Sequence, residues 1–183
     1  MKARVDWVLV LLLALSVGGN IYQARRTVDA GGRAFVPLAS GDKVPPLVAT
    51  SMFGKQVRFD YTSANTVVYV FSPACVWCER NLDNINEIVR TVGVDHFVPV
   101  SLVETGLEEY VRSHKLGWAV VSKLAPETLR AYKFSGTPQT LVIGEGGKVI
   151  RSWSGAYVGP VASDIESFYK IRLPGLRSAT APG

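Results

Sequence analysis

Phe71–Asn81 reads FSPACVWCERN and holds both cysteines of the chain, Cys75 and Cys78, at the point where an apolar run gives way to a polar one. Upstream, NTVVYVFS (residues 65–72) is the β-branched and aromatic run of a buried strand. Downstream, Leu82, Ile85, Ile88, Val89 and Val92 recur at helical spacing, which predicts an amphipathic helix from Cys78 to about Val92. Cys75 thus falls at the N-terminus of a helix, where unpaired N–H groups and the positive end of the helix dipole stabilise a thiolate. One turn on, Cys78 is within reach to close an intramolecular disulfide. That is the arrangement of a dithiol switch, in which one thiolate attacks and its neighbour resolves the mixed disulfide.

Two other uses of a cysteine pair fit less well. A chain of 183 residues with 48% hydrophobic content can build a core without a cross-link, and a bridge from Cys75 to Cys78 closes almost the smallest loop available, so it constrains the unfolded chain little. A tetrahedral zinc site needs four ligands, yet there is no further cysteine, and His96 and His114 lie outside the usual finger spacing. No metal or other cofactor is expected.

The net charge of +5 does not indicate a nucleic-acid partner, because it sits at the ends. Residues 1–33 carry +3, the chain from Lys170 onward carries +3, and the middle carries −1. At the start, MKARVDWVLVLLLALSVGGNIYQARR has a basic beginning and no charge from Trp7 to Ala24. It reads as a membrane-targeting segment, and an uncleaved anchor over residues 1–26 is preferred to a cleaved, secreted form. The lipid bilayer is then a partner, and the rest of the chain is expected outside the cytoplasm, where disulfides persist.

Residues 27–41 read as a tether rich in Gly and Ala, residues 42–173 as the folded domain, and residues 174–183 as a loose tail. Within the domain, KQVRFDY is an exposed strand and DHFVPVSLV a buried one. GLEEYVRSHK is expected as a helix, WAVVS as a short strand and APETLRAYK as a helix. QTLVIGEGGKVIRSWSG is a hairpin about a glycine-rich turn, and VASDIESFYKI closes the domain as a helix. The alternation predicts a mixed α/β layer with helices on both faces.

Together, the CxxC after a strand, Thr137 and Pro138 ahead of a later strand in SGTPQTLVI, and the closing hairpin and helix resemble the thioredoxin superfamily, over about Asp42 to Lys170. The resemblance implies a thioredoxin-like mixed central sheet, Cys75 and Cys78 as the catalytic redox pair, and Pro138 as a cis-proline beside them. It also implies that the backbone of Thr137 pairs with an extended substrate segment. With the N-terminal segment and GDKVPPLVATSMFGKQVRF, the chain is similar to membrane-anchored, extracytoplasmic TlpA-like thiol-disulfide oxidoreductases of bacteria, some of which serve cytochrome c maturation. The implied partners are disulfide or dithiol proteins and a membrane electron donor. The sequence departs from those families at three places. Tyr69 stands where thioredoxin has a buried aspartate, and Asn81 and Asp83 stand where TlpA-like reductases often have Glu and Pro. Glu79 is the substitute carboxylate the sequence offers. Trp77, between the cysteines, is a candidate for shaping the substrate surface or shielding the thiols.

Two other classes compete. A peroxiredoxin-like peroxidase wants Ser or Thr three residues before its cysteine, which Ser72 supplies, and Pro seven before, where Val68 stands. A non-catalytic binding module would keep the fold without needing an intact CxxC.

Overall fold

The computed structural model describes residues 7, 9–20, 22, 37–62, 64–134 and 136–178. The chain divides into two units, Met1–Val36 and Pro37–Gly183. In the first, residues 9–20 form helix α1, with Leu9 to Leu13, Leu15 and Val17 exposed. Among the described residues no helix is long and apolar enough to cross a membrane. The anchor expected over residues 1–26 is therefore not supported, and its two ends lie outside the described residues.

The second unit is built on a sheet of seven strands among the described residues: β1 (Leu47–Ser51), β2 (Gln56–Phe59), β3 (Thr66–Phe71), β4 (Phe97–Ser101), β5 (Val121–Ser122), β6 (Gln139–Ile143) and β7 (Val149–Ser154). Their order is β2-β1-β5-β4-β3-β6-β7. β3, β4 and β5 run parallel, and the other neighbours are antiparallel. The helices are α2 (Val76–Arg80), α3 (Leu82–Val92), α4 (Leu107–Ser113), α5 (Pro126–Tyr132) and α6 (Gly159–Tyr169).

β3 shows why two layers of helix are needed. Its side chains alternate, with Val67, Tyr69 and Phe71 in one apolar cluster and Val68 and Val70 in another. The steps from β3 to β4 to β5 move in one direction across the sheet, so right-handed crossovers set α2–α3 and α4 on a single face. Leu82, Ile85, Leu107 and Tyr110 pack there with Ile165 of α6. Tyr132 of α5 packs on the opposite face with Leu38, Val44 and Tyr61. The mixed sheet with helices on both faces agrees with the expectation from alternation.

Three local features differ from it. LVATS forms β1, because Leu47 and Ala49 turn into the core while their neighbours stay half-exposed. Residues 37–41 belong to the folded unit: Leu38 is buried, and Gly41 N–H donates to the Val149 carbonyl at 2.8 Å. The helix expected from Cys78 begins at Val76 and is broken at Asn81 into α2 and α3.

A disulfide at the strand-to-helix junction

β3 ends at Phe71, and a turn closed by Cys75 N–H to the Ser72 carbonyl at 3.0 Å carries the chain to Cys75. Cys75 is extended and caps α2: its Sγ accepts the backbone N–H of Cys78 at 3.1 Å. This cap is why the helix starts at Val76. Cys75 and Cys78 are joined in a disulfide with their Cα atoms 5.2 Å apart. Cys75 is half-buried, whereas Cys78 is 0% exposed within the apolar cluster beneath α2. An external thiolate can therefore reach one sulfur and not the other.

The rim is apolar and partly wet. Trp77 is 49% exposed and Val76 is exposed beside it. The Arg80 guanidinium lies over the Trp77 ring, 4.9 Å from its centroid, within cation–π range. The Thr137–Pro138 peptide bond is cis. β6 pairs antiparallel with β3, Gln139 opposite Val70, so the next residue back, Pro138, falls beside Phe71 at the strand end that leads to the cysteines. Pro138 is buried and Thr137 half-buried, and the Pro138 carbonyl accepts Gly155 N–H at 2.8 Å. Register thus brings Cys75, Cys78, Trp77, Thr137 and Pro138 to one end of the sheet.

The interior near the disulfide holds no carboxylate at the two positions where the resemblance sought one. Tyr69 is buried and stacks on Phe71 and Phe97 at centroid distances of 5.8 and 6.3 Å. Burial, reinforced by Tyr157 and Tyr110, holds its hydroxyl protonated well above the usual phenol range. Asn81, 0% exposed, accepts the Tyr157 N–H at 3.1 Å and the Asn84 Nδ2 at 3.2 Å through Oδ1. Because two donors face that oxygen, the amide orientation is fixed and Nδ2 points elsewhere, buried without a partner among the described residues. Tyr157 OH in turn hydrogen-bonds Thr140 Oγ1. Sequence reasoning registered Asn81 only as a departure, and Arg80 not at all. The signal that could have found Asn81 is its helical offset of three from Cys78, which puts both on the inward face.

The expected loose tail is the other correction. Arg177 N–H donates to the Arg80 carbonyl at 2.8 Å, Arg80 Nε donates to the Arg177 carbonyl at 3.0 Å, and Gly175 N–H donates to Asn84 Oδ1 at 2.8 Å. Residues 174–177 are thereby tied to α2 and α3.

No protein-family model and no curated protein sequence matches the chain. Solved structures do. The thioredoxin domain of a thiol-disulfide oxidoreductase from Bacteroides vulgatus superposes with a TM-score of 0.58 at 19% identity, covering 72% of this chain and 99% of that one. A thiol:disulfide interchange protein from a Bacteroides species gives 0.58 at 18% identity, covering 73% and 91%. A peroxiredoxin-like protein from Aquifex aeolicus gives 0.55 at 15% identity, covering 74% and 88%. Likeness at such identity speaks for architecture alone, and the architecture this chain shares with them is the thioredoxin fold.

Proposed function

We propose that the protein is a thiol-disulfide oxidoreductase acting on protein disulfides, with Cys75 as the attacking residue and Cys78 as the resolving one. The observation that carries this is the asymmetry of the pair: a half-exposed sulfur capping a helix, bonded to a fully buried partner. In the reduced enzyme the Cys75 thiolate attacks one sulfur of a substrate disulfide, forming a mixed disulfide and expelling the other sulfur as a thiolate. The Cys78 thiolate then attacks the Cys75 sulfur. The Cys75–Cys78 disulfide forms, the second substrate sulfur leaves, and two electrons have passed to the substrate. A dithiol donor restores the reduced pair by the reverse sequence. The backbone around Thr137 and cis-Pro138, together with the Trp77 ring, lines the place where an extended substrate segment lies.

The direction we assign is reduction, with a membrane protein as electron donor and the catalytic unit on the extracytoplasmic side of a bacterial cytoplasmic membrane. Supporting this are the apolar N-terminal run, whose described side chains Leu9–Leu13 are exposed, and the resemblance to TlpA-like reductases. Cytochrome c maturation is one task such a reductase would serve.

The test is incubation of the reduced protein with a disulfide-bonded protein substrate, with new substrate thiols counted. Release of two substrate thiols per reduced protein, lost in Cys75→Ser, is the expected result. Rapid consumption of hydrogen peroxide with no thiol release would replace this reading with a thiol peroxidase. Trapping of the in-cell thiols with and without a candidate donor reads the direction: cysteines that oxidise when the donor is removed mean reduction.

A further inference from the structure

The sheet and its helices are complete at Tyr169, yet the chain after it returns to the redox helix. Leu173 is buried, and its N–H donates to Glu166 Oε1 at 2.9 Å. Gly175, at a φ of 97° that an L side chain rarely adopts, turns the segment so that its N–H meets Asn84. Arg177 then forms a reciprocal clasp with Arg80, N–H to carbonyl in one direction and Nε to carbonyl in the other. Its guanidinium reaches Asp83 Oδ1 at 2.5 Å. Of the three residues held, Arg80 lies just before the break at Asn81, and Asp83 and Asn84 lie in the first turn of α3. Arg80 is also the last residue of α2, where carbonyls lack partners within the helix, and the strap supplies one.

Arg80 faces two ways. Its Nε is engaged by the strap, while its guanidinium carbon lies over the Trp77 ring beside the disulfide. A free Arg80 would sample many rotamers and a free indole likewise; the clasp removes that freedom at one end and stacking passes the restraint to the other. We propose that the C-terminal segment Leu173–Arg177 is a strap that sets the docking surface of the redox site, with Arg80 as the positioning residue that holds Trp77 against an incoming protein segment. The inference rests on the exchange reading, since an ordered Trp77 matters to catalysis only when a protein partner docks there. The Asp83–Arg177 ion pair is exposed and by itself contributes little; the backbone clasp carries the restraint.

Three variants of the full chain test this: Arg177→Pro, which deletes the clasp N–H; Arg80→Ala; and Arg80→Lys, which keeps the charge without the planar fork. Each is compared with the parent for a protein disulfide, for a small aromatic disulfide, and for acrylamide quenching of the Trp77 signal, taken as the difference from Trp77→Phe. The expected result is a KM for the protein disulfide raised roughly three- to ten-fold with kcat little changed. The rate with the small disulfide stays constant, and Trp77 quenching rises in all three. An unchanged KM together with unchanged quenching in Arg80→Ala, a substitution that leaves the backbone clasp donor of Arg177 in place, would overturn the proposal. Equal losses with protein and small disulfides would also overturn it, as general damage to the site. Should the parent release no substrate thiols, the exchange reading fails, and quenching alone still decides whether the strap restrains Trp77.

Discussion

The sulfur of Cys75 accepts the backbone N–H of Cys78 at 3.1 Å. One atom therefore does two things: it caps α2, and it is the exposed half of the disulfide. When the bond is reduced, the same N–H and the helix terminus face a sulfur that can carry negative charge, and charge-assisted hydrogen bonds are the stronger kind. Cys78 has no such setting, lying fully buried among Leu82, Ile85 and Phe71.

The two cysteines should accordingly separate in their reactivity. Iodoacetamide applied to the reduced protein at neutral pH should label Cys75 more than ten-fold faster than Cys78, on the order expected for an activated thiolate against a buried thiol. Cys78→Ser should accumulate a mixed disulfide with its substrate, visible by non-reducing gel and mass spectrometry, whereas Cys75→Ser should trap none. Trapping by Cys75→Ser in place of Cys78→Ser would reverse the roles.

Asn81 should be a costly residue to remove. Its Oδ1 satisfies two buried donors, Tyr157 N–H and Asn84 Nδ2, so Asn81→Ala leaves both unpaired and should lower stability by about 2–4 kcal/mol. Asn81→Asp keeps the acceptor but puts a carboxyl in a buried site. Burial raises the pKa of such a group, so the cost of this variant should be small in acid and grow as pH rises and the unfolded chain ionises. Urea unfolding of the two variants at pH 5 and pH 8 reads the difference, and a pH-independent cost for Asn81→Asp would mean that water reaches the site.

What the sequence disclosed follows from where its signals are local. The strand NTVVYVFS, the CxxC after it and the glycine turn of the β6–β7 hairpin are each written in a few adjacent residues, and each stands where it was expected. The alternation of elements then leaves few ways to close the sheet. The break at Asn81 is not legible, because the inward periodicity of Cys78, Leu82, Ile85 and Ile88 continues smoothly across it, whereas the Arg80 carbonyl is taken by the distant Arg177 N–H. The strap has the look of a tail in sequence because PGLR has loop composition. Composition reports that a segment is irregular and says nothing of where its N–H groups are bonded. LVATS carries little strand signal of its own, since only Leu47 and Ala49 point inward and the strand is defined by its partners.

Alkali should unfold the protein steeply. Tyr61, Tyr69, Tyr110, Tyr132, Tyr157 and Tyr169 all have hydroxyls pushed above their ordinary value of 10.0, with burial as the largest cause. These groups stay protonated in the native state when the unfolded chain has already ionised. Their contribution is complete below pH 10 and falls as pH rises beyond it, by ~1.4 kcal/mol per pH unit for each tyrosine still protonated in the fold. Circular dichroism should show a cooperative loss of structure above pH 10, coincident with the rise of tyrosinate absorbance near 295 nm. A tyrosinate titration completed near pH 10 with structure intact would refute the buried cluster. On the acid side, the Arg177 guanidinium holds the Asp83 carboxyl below its usual 3.8. That contribution is present above pH 3.8 and lost below it, and it is small because both partners are over a third exposed.

Gly147 should tolerate no side chain. It stands at a φ of 79°, and a Cβ added there would meet the Val44 carbonyl oxygen at 2.1 Å, a backbone atom that cannot swing aside. The approach is close because residues 41–44 run antiparallel beside the start of β7. Val44 N–H donates to Gly147 O at 2.9 Å, and Val149 N–H donates to Asp42 O at 2.8 Å. Gly147→Ala must either push this arm off the sheet or distort the hairpin turn, on top of the ~1 kcal/mol that a left-handed alanine costs. A loss of about 2–4 kcal/mol is expected, at the high end for a single methyl group. Gly146, also at positive φ but with open space around its Cβ position, is the internal control. Gly146→Ala should show the backbone cost alone, and urea midpoints for the two variants that coincide would mean the arm is not held where Val44 and Gly147 meet.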